Sequence, residues 1–189
     1  NVVRIYHVPP RWFLDQCAAA GVRVMITLPW AKHVEFLTKR KARHEIVRSV
    51  RSAVEANAGH PAIFAYLVGN EISPAMVRWL GVRRVTEFVE HLIRVGRAID
   101  PQVLFSYASF PPTEYLLAQN VDFFCFNVYL HDQRDFEFAT KYGLDIIPVF
   151  ESDDVDVTQP LGAAFIRGTV MINSGPFDGT LGDEAPIVR

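Results

Sequence analysis

Short, almost wholly apolar runs alternate along this chain with segments of helical period, and that alternation restricts the fold more than any other feature. Residues 2–7 are β-branched and aromatic and stop at Pro9-Pro10; residues 12–20 read as a helix ended by Gly21, and 22–28 as a strand closed by Pro29-Trp30. Ile46, Val47, Val50 and Val54 mark the inner face of a second helix, which Asn57 and Gly59 end before a strand over 62–69. A helix over 82–99 with Phe88, Leu92 and Val95 on one face follows, then a strand over 103–107, a short helix from about Thr113 and a strand over 121–129. Near-continuous apolar strands separated by helices indicate a parallel sheet buried on both faces.

The expected class is therefore α/β, a partial (β/α) TIM-type barrel of about five parallel strands. A closed barrel of eight takes about 250 residues, so this segment stops short of closure. Beyond Tyr129 the pattern weakens. A helix over 134–142 ended by Gly143 and a strand over 145–150 lead into an acidic loop at 151–156, an extended run over 163–173 and turn signals at Gly175-Pro176 and Asp178-Gly179. Charge changes at the same place: residues 1–130 hold 15 Lys/Arg against 10 Asp/Glu, residues 131–189 hold 4 against 11. The reading is a barrel-like domain over 1–130 and a C-terminal β-rich fragment over 131–189.

No apolar run approaches the roughly 18 residues of a membrane-spanning helix. The chain opens at Asn1 directly into a strand-like run, without the charged, apolar and small-residue succession of a signal peptide, so a soluble, cytoplasmic segment cut from something longer is expected. Cys17 and Cys125 fit buried thiols better than a disulfide framework or a zinc site, and the six histidines show no paired ligand spacing. No metal and no cofactor are expected.

In parallel barrels, side chains at the C-terminal ends of the strands converge on one mouth. Glu71 stands at such an end in Gly69-Asn70-Glu71, as do His7, Trp30, Ser106 to Ser109, Asn127 and Tyr129. Taken in order, Val3-Arg4-Ile5-Tyr6-His7-Val8-Pro9-Pro10, Gly69-Asn70-Glu71 and Phe126-Asn127-Val128-Tyr129 resemble retaining glycosidases on (β/α)8 barrels, especially glycoside hydrolase families 2 and 5. The resemblance implies Glu71 as proton donor and later base, with Asn70 on the sugar 2-hydroxyl. It implies Arg4 and Tyr129 as positioners of the nucleophile, and His7, Trp30 and Asn127 around the sugar. An acid of this kind needs a raised pKa, which an apolar wall would supply. Structural roles are open for the same residues: an ion-pair arginine, a core Tyr129, a mouth histidine, a packed tryptophan.

Retaining chemistry requires a second carboxylate about 5 to 5.5 Å from the first. Glu151, after Ile146-Ile147-Pro148-Val149-Phe150, is the candidate in register, although the residues around it do not match the family's nucleophile segment. A different resemblance covers this part. His131-Asp132-Gln133-Arg134-Asp135-Phe136-Glu137-Phe138-Ala139, Lys141-Tyr142-Gly143 and the run Val170 to Gly179 are similar to the editing domain of bacterial leucyl-tRNA synthetases. That resemblance implies that Asp135, with Asp132 beside it, holds the amino group of a misattached amino acid; a solvated helix start is the plainer role for both. The threonine-rich editing peptide, the ATP signatures and a basic tRNA surface are missing, so tRNA is not the expected partner of this chain alone.

The expected function is O-glycosyl hydrolysis with Glu71 as acid/base, inactive unless Glu151 replaces the usual nucleophile. The alternatives are a non-catalytic carbohydrate-binding remnant and an aminoacyl-tRNA editing fragment. A carbohydrate is the expected partner, and open sheet edges invite self-association.

Overall fold

The computed structural model describes residues 1–32, 35–129, 133–151, 155–164 and 168–181. The chain forms two compact units, Asn1–Asn127 and Val128–Arg189.

In the first unit five parallel strands curl into a half-barrel: β1 Val2–Ile5, β2 Arg23–Thr27, β3 Ile63–Asn70, β4 Leu104–Ser109 and β5 Cys125–Phe126, hydrogen-bonded in sequence order. The helices between them are α1 Arg11–Ala19, α2 Arg40–Asn57, α3 Pro74–Leu80 and α4 Val82–Arg97. The apolar periods place these helices. Helix α2 buries Ile46, Val50, Ala53 and Val54, and α4 buries Val85, Phe88, Val89, Leu92, Ile93 and Gly96 against the sheet. Val47 and Val95, expected on the inner faces, pack at the margin instead.

Strand and helix layers meet around Leu14, Ile26, Phe36, Tyr66 and Phe105, all fully buried. Each such side chain contributes about 1.5 to 3 kcal/mol by leaving water. Tyr66 stacks on Phe105 with centroids 5.6 Å apart. A Cβ on Gly96 would lie 2.3 Å from the Phe105 ring, so α4 reaches β4 only because residue 96 has no side chain.

Two elements of this unit differ from the sequence reading. Helix α3 was not expected, yet its start is written in Ser73-Pro74: the Ser73 hydroxyl accepts the Met76 N–H at 3.3 Å and proline occupies the first turn. The expected strand over 121–129 shrinks to Cys125–Phe126, where side chains take over part of its ladder. Asp122 takes the Phe105 N–H through its carboxylate at 2.7 Å, and the Ser106 hydroxyl donates to the Phe123 carbonyl. The short helix expected from Thr113 is a single 3₁₀ turn over Pro111–Thr113. Cys17 and Cys125 are free thiols and half-buried rather than buried.

The second unit contains α5, Gln133–Lys141, with Phe136, Phe138 and Ala139 buried. The strands expected over 145–150 and 163–173 do not form as such among the described residues; in their place are single antiparallel bridges, Phe150 with Met171 and Val170 with Leu181. Pro148 has no N–H for a ladder, and Gly168 sits where a Cβ would meet Phe150 at 2.2 Å, which limits pairing to a short ribbon. Residues 165–167 of the second stretch, and 152–154 of the acidic loop, lie outside the described residues. No described helix is long and apolar enough to cross a membrane.

Candidate active site

The end of β3 is bent by an extra residue. Leu67 pairs with Ser106 but Asn70 with Ala108, so β3 uses three steps where β4 uses two. A bulge of this kind re-aims the side chains that follow it. Gly69 lies inside it, and a Cβ there would come within 2.9 Å of Trp30. The next turn is held in an unusual conformation: Glu71 has φ +47°, a left-handed value that costs a non-glycine residue about 1 kcal/mol or more. Two bonds fix it, the Glu71 N–H to the Ala108 carbonyl at 2.8 Å and the Ile72 N–H to the Tyr107 phenol oxygen at 2.8 Å. Burial raises the Tyr107 pKa strongly, and the Glu71 charge adds to that rise.

Around this turn the polar groups form one connected network. Arg4, projecting from β1, donates from Nε to the Thr27 hydroxyl at 2.9 Å, from one Nη to Asn70 Oδ1 at 2.8 Å and from the other to Asn127 Oδ1. Because arginine only donates, both asparagines present their oxygens to it. The Asn127 amide nitrogen is thereby turned outward, and it donates to Asn70 Oδ1 at 2.8 Å and to Glu71 Oε1. Asn127 is the link between the Arg4 charge and the Glu71 carboxylate.

A cavity of about 160 Å³ opens beside Asn70 and is lined by Tyr6, Thr27, Leu28, Pro29, Trp30 and Lys32. Of these only Trp30 was singled out as a site residue in the sequence. Tyr6, not His7, lines the cavity, with its ring under the Arg4 guanidinium at 4.7 Å; His7 stands exposed past the end of β1. Thr27 is visible only as the last residue of β2. Lys32 follows Trp30 in a loop and carries no periodic signal; burial lowers its pKa while the Glu71 charge opposes that fall, which sets the two groups in electrostatic contact. Trp30 lines the cavity but also packs edge-on against Phe36 at 5.0 Å and donates its indole N–H to the Val68 carbonyl at 2.7 Å. Ser106 and Ser109 are buried and bonded to main-chain carbonyls.

In the second unit, Asp135 is buried in the first turn of α5, and its carboxylate accepts the main-chain N–H of Tyr129, whose ring is exposed. Glu151 is exposed and lies in the antiparallel ribbon, donating its N–H to the Val170 carbonyl at 2.8 Å and accepting from Thr169 at 2.9 Å. Asp132 lies outside the described residues.

The sequence and the fold of the chain are similar to different groups of proteins. Residues 113–186 match the family described as leucyl-tRNA synthetase, editing domain. The leucine–tRNA ligase of Aliivibrio fischeri (strain MJ11) is 54% identical over 55 residues, 29% of this chain and 6% of that protein. The leucine–tRNA ligase of Vibrio parahaemolyticus is 57% identical over 49 residues, 26% of this chain and 6% of that one. Solved structures similar to the chain include β-glucuronidases. That of Bacteroides uniformis superposes with a TM-score of 0.62 at 21% identity over 75% of this chain and 19% of its own. That of Parabacteroides merdae gives 0.60 at 17% over 76% and 18%. At such identities the likeness is one of fold, and it agrees with the half-barrel. The chain spans about 6% of the curated ligases and about a fifth of these glucuronidases. The editing-domain match begins at Thr113, ahead of β5, so it overlaps the last part of the barrel-like unit.

Proposed function

We propose that residues 1–127 carry the acid/base half of a retaining O-glycosidase site. The observation behind this reading is the Asn127 amide that ties Glu71 to Arg4 and Asn70 at the bulged end of β3. In such a reaction Glu71 gives its proton to the glycosidic oxygen as the bond to the sugar breaks, and its carboxylate then takes a proton from the water that releases the sugar. Asn70 would contact the 2-hydroxyl, and Tyr6, Trp30 and Lys32 would wall the sugar. Glu151 is the residue assigned to the second carboxylate. The test pairs turnover of a 4-nitrophenyl glycoside with sugar binding, in the full chain and in Glu71→Gln. Turnover lost in the variant supports the reading. Binding without turnover in the unsubstituted chain moves it to a carbohydrate-binding remnant, and turnover indifferent to Glu71 removes it.

A second reading applies to the C-terminal unit, and the similarity to leucine–tRNA ligases supports it. Here Asp135 would hold the ammonium group of a leucine-like amino acid, sharing its carboxylate with the Tyr129 N–H. An NMR titration with leucine that saturates, and that Asp135→Ala abolishes, is the expected result; no shift at millimolar leucine contradicts it. The exposed Val2 and Val3 on β1 support self-association through the sheet edge, which sedimentation at two concentrations would read as a rise in mass.

A further inference from the structure

A second cavity of the barrel-like unit lies away from the strand ends. It has a volume of about 410 Å³ and lies between α2 and α4 on the outer, helical layer. Leu37, Val47 and Phe88 give it an apolar floor, and Arg43, His44, Arg84, Glu87 and His91 form its rim. The one acid of that rim, Glu87, is paired with Arg83 at 3.1 Å, so the remaining rim groups are basic. They converge on one cavity from two helices, Arg43 and His44 from α2 and Arg84 and His91 from α4, and burial, with the Arg94 and Arg43 charges, holds the His91 pKa below its usual value.

Folding alone does not account for these residues. Helix α2 opens with Lys39-Arg40-Lys41-Ala42-Arg43-His44 and has no acidic residue in its first turn. The positive end of the helix dipole favours acids there, and each base works against helix formation. A locally unfavourable choice retained beside a cavity is where a function is to be sought. The cavity is within the range that holds small ligands, with apolar walls and a few converging polar groups.

We propose that the α2–α4 cavity is a binding site for a small organic anion, its apolar body on Phe88, Leu37 and Val47 and its charged end between Arg43 and Arg84. This site is separate from the glycosidase reading and does not depend on it. Arg43 and Arg84 are exposed, so their replacement leaves the core intact. The experiment is an NMR titration of the full chain with phenyl phosphate, and separately with phenol and inorganic phosphate, in the unsubstituted chain, in Arg43→Gln/Arg84→Gln and in Arg51→Gln as a charge control. Arg51 lies on α2 and pairs with Glu55.

Saturable shifts centred on Val47 and Phe88 are expected with phenyl phosphate. The affinity should fall about tenfold or more in the double variant, as the loss of charge-assisted bonds predicts, and should change little in Arg51→Gln. Added salt should weaken binding, because the rim is open to solvent. Phenol binding as tightly as phenyl phosphate, inorganic phosphate doing so, equal affinity in the double variant, or no saturation would each overturn the proposal. Circular dichroism of each variant at the same temperature confirms that the comparison is between folded proteins.

Discussion

Both units are rich in apolar residues, 67 of 127 in the first and 27 of 62 in the second, and they use them to different effect. In the first, Val24, Ile26, Tyr66, Val68, Leu92, Ile93 and Phe105 are fully buried between a sheet and its helices. In the second, Tyr142, Leu144, Ile147, Val149, Phe177 and Leu181 are exposed, and among the described residues burial is confined to one face of α5. Helix α5 and a two-bridge ribbon need only neighbours close in sequence, whereas burial needs opposing surfaces. Among the described residues, local signals form elements in both units, whereas a core forms only where a sheet and its helices face one another.

The sharpest way to break this comparison is to remove equivalent bulk from each unit. Phe105→Ala empties a fully buried, stacked position and should cost about 3 to 5 kcal/mol in denaturant unfolding. A loss below 1 kcal/mol, on the order of a surface change, would mean that the half-barrel core is not formed as described. Next in size is Gly96→Ala, which pushes a methyl into the same ring and should cost about 1 to 3 kcal/mol, read from the same curve.

Acid should separate the units further. The Glu35 carboxylate accepts the Leu37, Thr38 and Lys39 N–H groups and the Thr38 hydroxyl, bonds that hold its pKa down at about 2. Its folded value lies below its unfolded one, so its contribution is complete above the unfolded value near 4.5 and is lost as pH falls toward 2. Glu35→Gln should flatten the stability profile of the first unit across that window; an unchanged profile would show that these bonds do not persist in solution. The smallest effect is expected from Ile147→Ala, exposed in the second unit, within about 0.5 kcal/mol of no change.

Much of the barrel-like fold was legible because hydrophobic period is a local property that burial then enforces. The helices over Ile46 to Val54 and Phe88 to Leu92 and the strand before Glu71 follow from it directly. Helix α3 escaped because seven residues hold less than two full repeats of a pattern, although its cap was written in Ser73-Pro74. Strand β5 was read too long because a run of apolar residues does not reveal that Asp122 and Ser106 will take over the ladder. In the second unit, apolar runs suggested strands for which Pro148 and Gly168 leave little room.

The site divides along the same line. Arg4, Asn70, Glu71 and Asn127 stand at or near strand ends, where topology alone predicts convergence, and they meet. Tyr6 and Lys32 depend on how the chain leaves β1 and β2, which no period records. The bulge at Gly69 was readable only as a glycine inside a strand, and the close approach of Trp30 to it is not written in β3.

The proposal that Glu71 acts through its proton is open to a direct test in leaving-group dependence. Values of kcat/KM for 4-nitrophenyl and 2,4-dinitrophenyl glycosides, which report the bond-breaking step and not the later release of the sugar, should be compared in the full chain and in Glu71→Gln. The account predicts a loss of about a hundredfold or more on the poorer leaving group and a far smaller one on the dinitrophenyl substrate, which leaves without protonation. Equal losses on both substrates, or none on either, would contradict it.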